Sequence, residues 1–280
     1  MNRKLLALYG LKFNPFTAEI PTEALHRHPS VANFCWRIEN SFIREGGFSL
    51  ISGDPGTGKS AALRILTANL AQVRDVQVGI LTHPSAKLAD FYRELGDIFS
   101  IPLNVNNRWY SFKNLRERWL HHLDTTLCRP VLCIDEAQEV PICVLNELRL
   151  LTSAQFDSRL LLSVILSGDQ RLNVKLRGDD LLPLGSRIRF RLNMEYASTE
   201  QLMESLTHVM TAAGNASLMN DELVRTLCEH ASGNYRVLSN MAGELLATAV
   251  QQERRQLDEK FYFECFMIPT STRKQKQSKY

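Results

Sequence analysis

The most specific chemistry in this chain lies in eight residues, "GDPGTGKS" at 53–60. The spacing G-x-x-x-x-G-K-[ST] builds a phosphate cradle, in which Gly53, Gly56 and Gly58 let successive backbone amides turn toward anionic oxygens while Asp54, Pro55 and Thr57 complete the loop. Lys59 is expected to reach the terminal phosphates of a nucleotide. The hydroxyl of Ser60 is expected in the shell of a Mg2+ ion, and the helix that begins there adds unpaired amides and a positive dipole end. A second element, "VLCIDEAQ" at 131–138, ends an apolar run in two carboxylates. The carboxyl end of a strand is where ligands bind in an open α/β sheet. Asp135 suits a role holding Mg2+ through water, and Glu136 suits polarising a water for in-line attack on a γ-phosphate. ATP and Mg2+ are the implied cofactors.

Three further stretches fall in order behind these two. "SVILSGDQRL" (163–172) places Ser167 and Asp169 at the end of another apolar run, within reach of the metal and the water. "LGSRIRFRL" (184–192) sets Arg187, Arg189 and Arg191 at alternating positions, on one face of a strand or on the outside of a ring subunit. One of the three suits stabilising phosphate charge across a subunit boundary, and a solvated basic edge strand is the alternative. "SGNYRVL" (232–238) opens a helix with Arg236, whose guanidinium would sense a γ-phosphate.

These groups need a sheet to hold them. "FSLISG" (48–53), "VQVGILTH" (76–83), "PVLCIDE" (130–136) and "RLLLSVILSG" (159–168) read as strands, with helical spacing in 58–72, in "KLADFYRELGDIF" and in "FKNLRERWLHHLDTTL" (112–127). Continuous apolar runs are the mark of strands buried on both faces of a parallel sheet, so the fold class is α/β, a sheet sandwiched by helices. Two or three strands are expected between the phosphate loop and the Asp135–Glu136 pair. After Tyr196 the pattern turns wholly helical, with helix starts at Ser198–Gln201 and at Asn220. The expected organisation is an N-terminal segment (1–46), an α/β core domain (47–196), a small helical lid domain (197–266) and a basic flexible tail (267–280).

The 280 residues suffice for one large domain or a large and a small one. A net charge of +3, with 44% hydrophobic and 22% charged residues, fits a soluble globular protein and does not by itself imply nucleic acid. The six cysteines, at 35, 128, 133, 143, 228 and 265, form no CxxC pair; they read as buried thiols of a reducing cytosol and argue against a zinc ribbon or a disulfide framework. No stretch reaches the length of a membrane span, so a cytoplasmic location is expected.

The ordered series resembles the AAA+ ATPases: GDPGTGKS as Walker A, CIDEAQ as Walker B, Ser167 at sensor 1, Arg187 as arginine finger and Arg236 as sensor 2. Within them the chain is most similar to the ExeA-type ATPases, through "YGLKFNPF", "LHRHPS", "LSGDQRL" and "SRIRFRL" in that family's order over about residues 9–240. Asp169–Gln170 stands where many relatives have Gln-Pro. The resemblance implies that Asn14, Pro15 and Phe16 pack near the adenine. ExeA-type chains of secretion systems typically continue into a membrane span, and the length of this chain points to the other branch, the TniB/TnsC/MuB-like transposition regulators. That branch implies a homo-oligomer, ring or filament, that assembles on duplex DNA with ATP and recruits or activates a transposase, without a membrane. "NNRWYSFKNLRERW" (106–119) then offers Arg108, Lys113 and Arg116, interleaved with aromatics, as DNA contacts. A cytoplasmic ATPase of a secretion or envelope-assembly system is the alternative.

Overall fold

The computed structural model describes residues 2–104 and 106–266; the basic tail expected at 267–280 lies outside them. In chain order the elements are α1 (Asn2–Tyr9), α2 (Pro29–Arg37), a π-helical turn (Ile38–Phe42) into α3 (Ile43–Glu45), β1 (Gly47–Gly53), α4 (Lys59–Leu70), β2 (Val76–Leu81), α5 (Leu88–Phe99), α6 (Arg108–Thr125), β3 (Arg129–Ile134), α7 (Ile142–Leu151), β4 (Ser153–Ala154), β5 (Arg159–Leu160), β6 (Ser163–Gly168), α8 (Gln170–Arg177), α9 (Leu182–Gly185), β7 (Ile188–Met194), α10 (Thr199–Ala213), α11 (Asp221–Ala231), α12 (Tyr235–Gln251) and α13 (Glu259–Phe266).

Five strands form a parallel sheet in the order β2-β3-β6-β1-β7. Every residue of β1 and β6 is buried, because each side chain, odd or even, meets a helical layer. Phe48, Leu50, Leu132, Ile134, Val164 and Leu166 face one core with α5 to α9, and Ile51, Val131, Cys133 and Ile165 face a second core with α2 to α4. Each fully buried side chain of this size contributes about 1.5–3 kcal/mol. A third core joins α10 to α13 with Leu5, Tyr9 and Leu11 of the N-terminal segment. Ser198 and Gln201 form a reciprocal capping box at the start of α10, and Asn220 caps α11 through Leu223 N.

Two expectations are corrected. A single strand, β6, separates β1 from β3, where two or three were expected. The apolar run 159–168 is not one strand: Arg159–Leu160 turns back on Ser153–Ala154 as an antiparallel hairpin, and the sheet strand begins at Ser163. Gln155, Phe156 and Asp157 all take left-handed backbone (φ 51, 56 and 65), which makes the reversal invisible to hydropathy. Arg187 precedes β7, whose burial alternates as expected with Arg189 and Arg191 on the exposed side, and the pairing with β1 shifts register between Phe48 and Ser49. The thiols also differ: Cys35, Cys133 and Cys228 are buried, but Cys143 is exposed. Among the described residues no helix is long and apolar enough to cross a membrane.

Candidate nucleotide site

The loop Gly53–Ser60 joins the carboxyl end of β1 to α4. Gly56 and Gly58 sit at φ +86 and +97, a region that side chains strain to adopt. Gly58 is the N-cap of α4 and makes no side-chain hydrogen bond, so the first amides of the helix have no side-chain acceptor there. Thr57 Oγ1 donates to Asp54 O (2.8 Å), tightening the turn. Lys59 is buried, and its Nζ lies inside the loop, donating to Gly53 O (2.9 Å) and Asp54 O (3.0 Å). Ser60 is exposed on the first turn of α4. Left-handed glycines, uncapped amides and an enclosed ammonium together fit a polyphosphate.

The carboxylates stand one strand away. Asp135 Oδ1 accepts from Ser167 Oγ (2.7 Å) and from Glu136 N (3.0 Å), so the ends of β3 and β6 are tied by a hydrogen bond. Glu136 adopts left-handed backbone (φ 51), which throws its side chain off the strand direction, and its carboxylate accepts from the amide of Gln138. Asp169 caps α8 through Arg171 N (2.8 Å). Its carboxyl is held below the usual range, first by the Arg171 guanidinium and least by Lys59. With Ser60 and Asp135 supplying oxygen, the donor set suits Mg2+, which binds few protein ligands alongside phosphates. The ion would supply charge neutralisation on the phosphate oxygens.

A cavity of about 210 Å³ opens beside the loop, lined by Pro15, Phe16, Thr57, Gly58, Ala61 and Tyr235 among others. Its mostly apolar wall, with the phosphate loop on one side, fits a flat base. Asn14 does not line it. Its Oδ1 accepts from Phe16 N (3.1 Å), making the turn that presents Pro15 and Phe16. His26 and His28 also line the cavity, and His28 Nε2 meets Gln201 Nε2 of α10 at 2.9 Å. His26 packs on His208 with ring centroids 5.5 Å apart; burial, then His208, lowers its pKa.

Sequence reasoning named Arg236 but missed its neighbour Asn234. Asn234 Nδ2 donates to Pro55 O (3.1 Å), its Oδ1 caps α12 through Arg236 N and Val237 N, and Tyr235 N donates to Gly56 O (2.9 Å). A Cβ on Gly56 would overlap the Asn234 side chain, so the glycine makes the docking possible. The signal was an Asn between a Gly and a helical run, a capping pattern. Arg236 itself is exposed and makes no side-chain hydrogen bond or ion pair among the described residues.

The remaining arginines divide. Arg187 donates to Pro183 O (2.6 Å) and pairs with Asp157; Arg189 pairs with Glu45; Arg191 donates to Gly185 O (3.2 Å). On α6, Arg108 Nε donates to Glu147 Oε1 (2.9 Å), with a second bond from its Nη2, and Glu147 is 1% exposed. Tyr92 donates to the same carboxylate, and burial first, then Glu147, pushes its phenol pKa up. Arg116 donates to Leu150 O (2.7 Å) and Ser153 O and covers Phe112. Lys113 is exposed, 3.6 Å from Glu117.

Residues 43–176 match the family described as AAA domain. Over 245 residues the chain is 28% identical to General secretion pathway protein A of Aeromonas hydrophila, covering 86% of this chain and 44% of that protein, less than half its length. Among solved structures it is similar to Cdc6p from Pyrobaculum aerophilum (TM-score 0.69, 16% identity, 86% of this chain and 67% of that one). It is also similar to Drosophila ORC in a structure bound to DNA (TM-score 0.65, 16% identity, 94% and 65%). With the match to the AAA domain over 43–176, the parallel sheet and the phosphate loop at the end of its β1 strand, the chain has the AAA+ P-loop NTPase fold.

Proposed function

We propose that ATP binding assembles copies of this chain on duplex DNA, and that the assembled form recruits or activates a transposase. Lys59 and the loop amides hold the phosphates, Ser60 and Asp135 hold Mg2+, Glu136 activates water, Ser167 orients Asp135, and Arg236 reports the γ-phosphate from the helical lid. The observation that carries self-assembly is the place of Arg187. It precedes β7, whose Ile188 is paired with Phe48 while its Met194 is paired with Gly53 in parallel register. Six residues of strand put Arg187 roughly 20 Å from its own phosphate loop. As a finger, Arg187 would therefore serve the nucleotide of a neighbouring copy. Duplex DNA as the platform is supported by the likeness to DNA-bound ORC and by the resemblance to transposition regulators.

A second reading, an ATPase of a secretion or envelope-assembly system acting without DNA, is favoured by the similarity to General secretion pathway protein A. Turnover measured with and without duplex DNA separates the two: stimulation supports the first, indifference the second. Arg187→Ala is expected to bind ATP normally yet lose about 100-fold or more in turnover, with electron microscopy in a slowly hydrolysed analogue reporting assembly. Retained turnover in that variant removes Arg187 as a finger acting between subunits.

A further inference from the structure

The general base is not steadied by its own strand. β3 ends at Ile134, Glu136 leaves in left-handed backbone, and its carboxylate is exposed. Its side-chain contact comes from Gln138, two residues on, which is 7% exposed and uses both ends of its amide. Oε1 accepts from Asp169 N (3.2 Å), a donor that cannot be anything else, and this fixes the amide so that Nε2 donates to Glu136 Oε2. The opposing Gly168 leaves room for it: a Cβ there would stand 2.6 Å from Gln138 Oε1. Three more contacts bind the same turn to α8. Lys175 Nζ donates to Gln138 O (3.0 Å) and Val140 O (2.5 Å), and Arg171 pairs with Glu139 at 3.0 Å. The turn after Glu136 and the exit of β6 are thus one rigid piece.

We propose that Gln138 is a positioning residue for hydrolysis: it aims the Glu136 carboxylate and takes its bearing from the backbone of Asp169. The chain end that follows Ser167 then sets both acidic groups, Asp135 through the Ser167 hydroxyl and Glu136 through the Gln138 amide. A displacement of the β6 exit by a phosphate moves base and metal ligand together. This rests on Glu136 acting as the base, and the controls below separate the two claims.

The test uses the full chain in single-turnover ATP hydrolysis with ATP affinity measured alongside. Gln138→Met keeps the volume and loses both hydrogen bonds; kcat is expected to fall about 10- to 100-fold, since misplacement of a reacting group by about 1 Å costs on that order, with ATP affinity within about twofold. Gln138→Glu keeps the acceptor for Asp169 N but sets a second carboxylate against Glu136. Like charges at a shared site favour holding a proton, so the acid limb of its kcat profile is expected to move to higher pH. A purely structural role would not move that limb. Wild-type kcat in Gln138→Met with an unmoved profile in Gln138→Glu, while Glu136→Gln is inactive, overturns the proposal alone. Loss of ATP affinity in step with kcat also overturns it, as a packing role. Turnover retained in Glu136→Gln removes the base assignment, and this proposal with it.

Discussion

Two charged regions stand out in the sequence, the strand ends around Asp135 and the helix α6 with its arginines, and the fold treats them oppositely. At the strand ends, polar groups from β3 and β6 converge on one opening: Ser167 on Asp135, Gln138 on Glu136, with Lys59 close enough to act on the Asp169 carboxyl. On α6 two guanidiniums are taken up by the protein itself. Arg108 neutralises the buried Glu147, and Arg116 ties off the carbonyls of Leu150 and Ser153. An arginine flanked by aromatics is equally suited to a phosphate and to a buried carboxylate. The lesson is that the sheet, whose strand ends are fixed by the backbone, makes composition informative, whereas a helix face leaves the partner open. Arg108 and Lys113 both remain exposed, but Lys113 has only Glu117 at 3.6 Å as an ion partner.

The comparison can be broken most decisively at Glu136. Glu136→Gln is expected to lower kcat by about 10²–10⁴-fold, the usual range for a general base, while ATP affinity by titration stays unchanged; a small loss would make the strand-end cluster structural too. The next effect belongs to α6. Arg108→Ala leaves Glu147 buried without its ion partner and is expected to destabilise the fold by about 3 kcal/mol, read by chemical denaturation, whereas Lys113→Ala should change stability by less than about 0.5 kcal/mol. If Arg108→Ala instead kept full stability and lost only DNA affinity, the contrast would be reversed. Asn234→Ala removes a helix cap and the bond to Pro55, for an expected loss of about 1–2 kcal/mol; faster hydrogen exchange confined to 235–251 would show that the lid was held from the loop.

The smallest effect lies at the histidines. His26 has a lowered pKa in the fold, so below about pH 6.5 the unfolded chain binds protons more readily than the folded one and stability falls with pH. Above that window the group contributes nothing. His26→Asn is expected to flatten the decline in melting temperature between pH 6.5 and 5.5 by a degree or two; an identical decline in the variant would place its origin elsewhere.

Much of this was legible because the motifs are read through the backbone. Gly56 and Gly58 announce left-handed turns, continuous apolar runs announce a double-sided parallel sheet, and Ser198–Gln201 announces a helix start. Most of what escaped had no local signature, and the capping pattern at Asn234 announced a helix start but not the docking it serves. Residues 155–157 reverse direction without a glycine or proline, so a hairpin was hidden inside an apolar run. Gln138 and Asn234 acquire their roles from partners that lie far off in sequence, Asp169 and Pro55. Glu147 is a charged residue on an amphipathic helix until Tyr92 and Arg108 are seen to meet it.

The docking of Asn234 on the phosphate loop has a mechanical side. α12 is 17 residues long, a rod of about 25 Å. One end is pinned at Pro55 and Gly56; just beyond the other, Arg254 O accepts from Tyr9 of α1 and Glu253 pairs with Lys4 at 2.8 Å. Tied at both ends, the rod links the phosphate loop to α1, so a rotation of the loop would be carried about 25 Å to the surface around α1.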